Sequence, residues 1–425
     1  MNISKSKVAD SAFFGLLFFI YVSLNSITAL YFGISQVASP LILLCCLLII
    51  SILGVSRKSF NSFGIKLLYG VFLSYYIIGL FTRLFLTGVG YRVSLFGQLL
   101  AFITSLIIII SVHQYMYKRL LIDKREITVF NSLYVPVILS NLYSIYQSIT
   151  GQLVSEYGYA ERASGVFANP NALGFIANVG LILTFYSLYC HKKYYFIKLI
   201  LIPTLFYISF LSLSRASIIT SMALIALGTG WMLMKFLKIG RSARWKSFLV
   251  IGLPISLITY VVFNFESLLK KYLDHWQAKK VMTIVDLVFK GKINSETTSG
   301  RTEVVEFGMQ MIEKRPIFGN GLGFFQYFPA ELGFRHGVHN TYLLIQGDSG
   351  IIAFSIFIIF MFYVFVKSFF IKPLPGLLAF GCMLVWAMQN LSGHNGLDDK
   401  MSNILITFSV LYISAGNIKK SNLVT

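Results

Sequence analysis

The sequence predicts an all-α polytopic membrane protein of about twelve transmembrane helices, with one large external loop between the ninth and the tenth. Composition, the recurrence of long apolar windows and the placement of basic residues predict it. Of 425 residues, 56% are hydrophobic and 12% are charged, and a soluble domain of this length would lack the polar surface to cover itself. A hydrocarbon core about 30 Å thick takes ~20 apolar residues per helix. Windows of that kind recur near residues 12 to 33, 37 to 55, 67 to 87, 94 to 116, 129 to 149, 169 to 190, 195 to 213, 216 to 235, 248 to 264, 340 to 366, 374 to 393 and 401 to 417. The expected organisation is one integral membrane domain over 1–425, with 265–338 as the external loop.

The formal net charge of +20 is first a topology signal, because Lys and Arg flanking transmembrane helices stay on the cytoplasmic side. Threading the spans with the N-terminus inside puts Lys5, Lys7, Arg57, Lys58, Lys118, Arg119, Lys192, Lys193, Lys367, Lys419 and Lys420 in the cytoplasm. The short outer connections then hold Arg83, Arg92, Arg162, Arg215 and Lys400. Both termini are expected inside. Basic residues dispersed in this way exclude a nucleic-acid face. Cys45, Cys46, Cys190 and Cys382 fall in spans or at a helix end, so no disulfide framework is expected. The first apolar run is long enough to span and reads as a retained helix.

The short elements carry the candidate chemistry. Arg83 lies about a turn inside the outer end of its helix, where snorkelling to the interface accounts for it. At the entrance to the sixth span, Asn169 and Pro170 are helix-start chemistry. Arg162, seven residues upstream of Asn169, together with that N-terminus would suit an anion. Arg215 stands between two apolar runs joined almost without a loop, and ionisable residues there are functional candidates by default. Contact with phosphate and pairing with a carboxylate or carbonyl are both open.

The stretch from Thr298 to Gly350 is the one long polar interval. Before it, Leu268, Leu269, Tyr272, Leu273 and Trp276 form a stripe with lysines elsewhere, either an amphipathic interfacial helix or a solvated cover. A helix is expected to start at Ser299-Gly300 and to stop at Arg315-Pro316. Arg301 sits in its first turn against the macrodipole, which suggests another use, binding a diphosphate with Arg215 and Arg162. Gly319, Gly321 and Gly323 form a tight turn, weak as a nucleotide fingerprint. His336 and His339 are three apart, but nothing nearby supports a metal site. His339 and Asn340 open the tenth span. Asp398 and Asp399, in the last outer connection, read as solvated loop acids.

Four segments together resemble the O-antigen polymerase and O-antigen ligase family of bacterial envelope glycosyltransferases. They are Arg162-Ala-Ser-Gly-Val-Phe-Ala-Asn-Pro-Asn-Ala-Leu-Gly174; Ser214-Arg215-Ala216; Ser299-Gly-Arg301 leading to Pro316-Ile-Phe-Gly319-Asn-Gly321-Leu-Gly323; and Val338-His339-Asn340-Thr-Tyr-Leu343. Their order matches over roughly residues 150–365.

The resemblance implies a GT-C-like transferase in the bacterial inner membrane. It would use an undecaprenyl diphosphate-linked oligosaccharide as donor on the outer face, with membrane lipids around it and no cofactor or metal. By that analogy His339 is the base and Arg215 and Arg301 hold the diphosphate; Arg162 joins them on the reading of its own position beside a helix N-terminus. Asn340, Asn171 and His336 are supporting residues. The polymerase is favoured by the Asn-Pro-Asn element and the SLSRAS and HNTYL forms, with a chain-length regulator as a partner. The ligase, which delivers glycan to the lipid A core, is the alternative. A lipid-linked sugar transporter or flippase is the rival from another class, although the two halves show no internal similarity of the kind transporters carry.

Overall fold

The computed structural model describes residues 5–23, 38–86, 90–150, 163–167, 169–190, 194–237, 302–329, 333–334, 337–371, 373–393 and 396–421. The expected span near 248 to 264, the amphipathic segment after it and the second half of the first expected span lie outside these residues. Among the described residues every element is helical: α1 (Lys5–Tyr21), α2 (Ala38–Leu53), α3 (Phe63–Phe85), α4 (Leu95–Met116), α5 (Glu126–Thr150), α6 (Pro170–Cys190), α7 (Tyr195–Leu211), α8 (Arg215–Leu237), α9 (Thr302–Lys314), α10 (Thr341–Phe370), α11 (Pro373–Ser392) and α12 (Lys400–Ser421). Among these residues, five helical stretches are long and apolar enough to cross a membrane, and three shorter ones are also apolar. The chain has the character of a polytopic membrane protein.

The chain groups into two compact units, one of Met1–Pro136 and Gly300–Thr425, the other of Val137–Ser299. In the first unit α3 packs along α10, α10 on α11 and α11 on α12, while α2 and α12 pack on α4 and α1 packs on α2. Phe72, Tyr75, Phe325 and Trp386 are fully buried.

Arg119 fastens α1 to the end of α4, where the helix widens into a π-helical turn, Tyr117–Ile122. Its Nε donates to Asp10 at 2.7 Å, Nη1 to Asp123 at 2.6 Å and Nη2 to the carbonyl of Ser6 at 2.8 Å. The Tyr115 hydroxyl adds a bond to Asp10 at 2.9 Å. A guanidinium so nearly buried is tolerated because its charge is matched and its donors are used.

α10 breaks at Gly350, which has φ 73° and ψ −174°, a conformation open essentially to glycine. A straight helix would pair the amide of Ile351 with the carbonyl of Gly347. Here Ile351 N donates to Pro316 O at 2.9 Å, and Gly347 O accepts from Asn320 N at 2.7 Å. The loop after α9 thus supplies partners for groups the break releases, as buried backbone requires.

In the second unit α6 packs against both α7 and α8, which also touch each other. Burial takes in 89% of its apolar window, so α6 is apolar all round because it forms the core of this unit. Asn141 of α5 donates to the carbonyl of Ile176 at 3.3 Å.

Candidate functional site

His339 is held between two backbone anchors in the first unit. On one side Val338 N donates to Phe325 O at 3.0 Å and Gly337 N to Gln326 O at 3.3 Å. On the other, Asn340 is the N-cap of α10, its side-chain oxygen accepting from the amides of Tyr342 at 3.0 Å and Leu343 at 3.2 Å. Asn340 adopts extended backbone, φ −156° and ψ 110°, as an N-cap does. The residue as a whole is partly exposed, so His339 combines a constrained backbone with incomplete burial.

The loop after α9 makes the expected tight turn, with φ of 74° at Gly319, 94° at Gly321 and 87° at Gly323. It does not form a phosphate cradle, because the amides point into the protein. Gly319 N donates to Arg315 O, Asn320 N to Gly347 O, Gly321 N to Asp348 O and Leu322 N to Gly79 O. Gly323 N donates to the carboxylate of Asp348 at 2.9 Å. A nest for anions needs such N-H groups free.

Arg83 corrects an expectation. It does not snorkel outward; it donates to the carbonyls of Leu322 at 3.0 Å and Val93 at 2.7 Å. Its guanidinium carbon lies 4.2 Å from the centre of the Tyr91 ring, within cation–π range. The Tyr91 hydroxyl in turn donates to Asn320 O at 2.8 Å. Burial pushes the Tyr91 phenol up, with Arg83 opposing, so it stays a neutral donor.

Asp348 was missed in the sequence. It is completely buried and accepts from Gly323 N, from Phe325 N at 2.7 Å and from the Tyr75 hydroxyl at 3.0 Å. The available signal was an acid within an apolar run, two residues before a glycine. Intramembrane acids of that kind mark something specific.

The loop acids also differ from expectation, since both are partly buried and not simply solvated. Asp399 starts α12, accepting from the amide of Ser402 at 3.0 Å and from its hydroxyl. Burial, and then neighbouring Asp399, raise Asp398 to about 7. Burial also raises Asp399, against the donors of Ser402. Gly396 N donates to the Thr341 hydroxyl at 3.1 Å, which brings this turn to the first residue of α10.

The second unit brings two other motifs together. Asn169 caps α6, its side chain accepting from Asn171 N at 2.8 Å, with Pro170 in the first turn. Asn171 follows, partly buried. A side chain at Gly174 would run into Ser217 and Ser212, so this glycine lets α6 reach the α7–α8 turn. Asn178 donates to Ser217 O at 3.0 Å, and Ala163 N donates to Leu211 O at 3.2 Å. Arg215 is the first residue of α8, partly buried. Arg162, Arg301 and His336 lie outside the described residues, as does His394. Among the described residues no group of three or more His, Cys, Asp or Glu side chains is arranged to hold a metal ion.

A family model described as O-antigen ligase matches residues 199–358, from within α7 to within α10. The match supports the O-antigen polymerase and ligase family for this chain. No curated protein matches it significantly.

Proposed function

We propose that this chain, with its O-antigen ligase match over 199–358, is a polymerase of undecaprenyl diphosphate-linked repeat units on the outer face of the bacterial inner membrane. The observation that carries the reading is His339, partly exposed and clamped on both sides inside the matched segment. Its imidazole takes the proton from the acceptor hydroxyl as that oxygen attacks the anomeric carbon. Direct attack inverts that carbon and expels the lipid diphosphate. Arg215 and Arg301, joined by Arg162, hold the diphosphate, since guanidinium stays charged and binds phosphate oxygens bidentately. Both termini are cytoplasmic, and a chain-length regulator is the expected partner.

The ligase reading is favoured by the description of the matching family and differs only in the acceptor. The test is the purified full chain in detergent with one defined lipid-linked repeat. A ladder of longer lipid-linked glycans establishes the polymerase. Transfer only when lipid A core is added establishes the ligase. Absence of any transfer, with movement of the lipid across proteoliposomes, overturns the enzyme. His339→Ala abolishes transfer without affecting insertion, and Arg301→Lys impairs it where bidentate geometry is needed.

A further inference from the structure

Asp348 and His339 are nine residues apart in sequence and belong to one closed circuit of covalent and hydrogen bonds. Asp348 Oδ1 accepts from the amide of Phe325 at 2.7 Å. The carbonyl of the same Phe325 accepts from the amide of Val338 at 3.0 Å, and Val338 is bonded to His339. From His339 the chain enters α10 through its Asn340 cap and returns along about 12 Å of helix to Asp348. Phe325 is the joint of this circuit, with both of its peptide groups engaged. Its ring is fully buried in a slot that exists because Gly347 and Gly308 lack side chains there.

We propose that Asp348 is the residue that positions His339, acting through Phe325 and Val338. The proposal rests on the reading of His339 as the base. The carboxylate suits this task because it only accepts. Three donors converge on its two oxygens, Gly323 N–H and the Tyr75 hydroxyl on one and Phe325 N–H on the other. An amide of the same shape presents an NH2 where one oxygen stood. Because the Tyr75 hydroxyl can turn to accept, either orientation sets NH2 against one backbone amide, that of Phe325 or that of Gly323. Asp348→Asn therefore releases the joint itself or the anchor two residues before it while preserving volume. The sequence on either side agrees with this role. The Gly350 break two residues after Asp348 lets the loop residues come close enough for their amides to reach the carboxylate, and Ser349 ties the same turn to Tyr75 O at 2.6 Å.

The test compares wild type, Asp348→Asn, Tyr75→Phe, His339→Ala and the Asp348→Asn/His339→Ala double variant. Each is a purified full chain, assayed on one defined lipid-linked repeat and by backbone hydrogen exchange. Asp348→Asn is expected to lower kcat on the order of a hundredfold, the scale of a small misplacement of a reacting group, with KM nearly unchanged. The double variant is expected to be no slower than His339→Ala, the non-additivity of residues acting as a unit. Peptides over 323–340 exchange faster in Asp348→Asn, and peptides of α6 and α7 do not. Tyr75→Phe, which removes one donor and leaves the carboxylate, shows the same changes at smaller size and serves where Asp348→Asn does not fold.

Full kcat in Asp348→Asn alongside an inactive His339→Ala overturns the proposal, as does unchanged exchange over 323–340. If His339→Ala keeps wild-type turnover, the base assignment and the proposed positioning fail together. The exchange result then reports only on the circuit.

Discussion

The guanidinium of Arg83 donates from Nη1 to the carbonyl of Leu322 at 3.0 Å, fastening the end of α3 to the middle of the glycine turn. This contact explains why a cation is retained near a helix end, since it serves two carbonyls and one aromatic face, with the charge of buried Asp348 near enough to act on it. Hydrogen bonds to charged groups contribute about 1.5–3 kcal/mol each, here reduced by partial exposure. Arg83→Met is expected to lower the thermal unfolding temperature in detergent by several degrees. Arg83→Lys is expected to recover little of it, because an ammonium cannot span the carbonyls of Leu322 and Val93 in the fork that guanidinium makes. Recovery by Lys equal to wild type would show that charge alone is needed.

Asn340 invites a separation of roles. As the N-cap of α10 it satisfies two amides, and replacement of such a cap by Ala costs about 0.5–2 kcal/mol. Asn340→Ala should lower stability by that order, and Asn340→Ser or Asn340→Asp should restore it. If turnover follows stability across the three, capping is the whole of its contribution. If Ser restores stability but not turnover, the side chain also meets substrate.

The clasp around Arg119 is nearly buried, its side chain 4% exposed against 22% for Asp10. Removing the cation leaves Asp10 with Tyr115 and with Arg125 at 3.6 Å, and Asp123 with Lys118 at 3.9 Å, so the loss sits at the low end of the about 3–5 kcal/mol of a broken buried pair. The lower figure is expected for Arg119→Met, since both acids keep some water. Asp10→Asn, which retains an acceptor for Nε, should cost much less. Chemical or thermal unfolding of the detergent-solubilised chain measures the difference, and equal losses would show that the charges are not the reason.

Asp398 predicts a pH dependence. Burial holds its carboxyl up at about 7, above the ordinary value of about 3.9 for an unfolded chain. The folded state therefore binds the proton more tightly. Its stabilising contribution is complete below the unfolded value and is lost as the pH climbs through about 7. Asp398→Asn should be more stable than wild type above neutral pH, with the advantage shrinking toward pH ~4. Unfolding temperatures measured across that range check it. An advantage that grows on acidification would reverse the sign and exclude the burial argument.

Much of this protein was legible in its sequence because the signals involved are local. Apolar length marks where helices lie: α2 to α8 and α10 to α12 overlap expected spans, whereas α1 runs over Lys5–Tyr21 against an expected 12 to 33. Asn169 with Pro170 marks the start of α6 because an orphaned amide needs a nearby acceptor and proline needs no donor. Proline at 316 marks the end of α9, and glycines at 319, 321 and 323 mark a turn for which positive φ is required. The Arg215 turn and the His339-Asn340 entrance were visible for the same reason.

Tertiary structure decided what each of those polar groups faces, which depends on partners far along the chain. Arg83 finds Leu322, 239 residues away, and Tyr75 finds Asp348, 273 residues away. No periodicity or spacing encodes such a meeting. It exists because an ionised or hydrogen-bonding group withdrawn from water must be satisfied by whatever the packing delivers. Whether a cation in an apolar run snorkels or grips a loop, and whether a loop acid is solvated or buried, is therefore determined only when the helices pack.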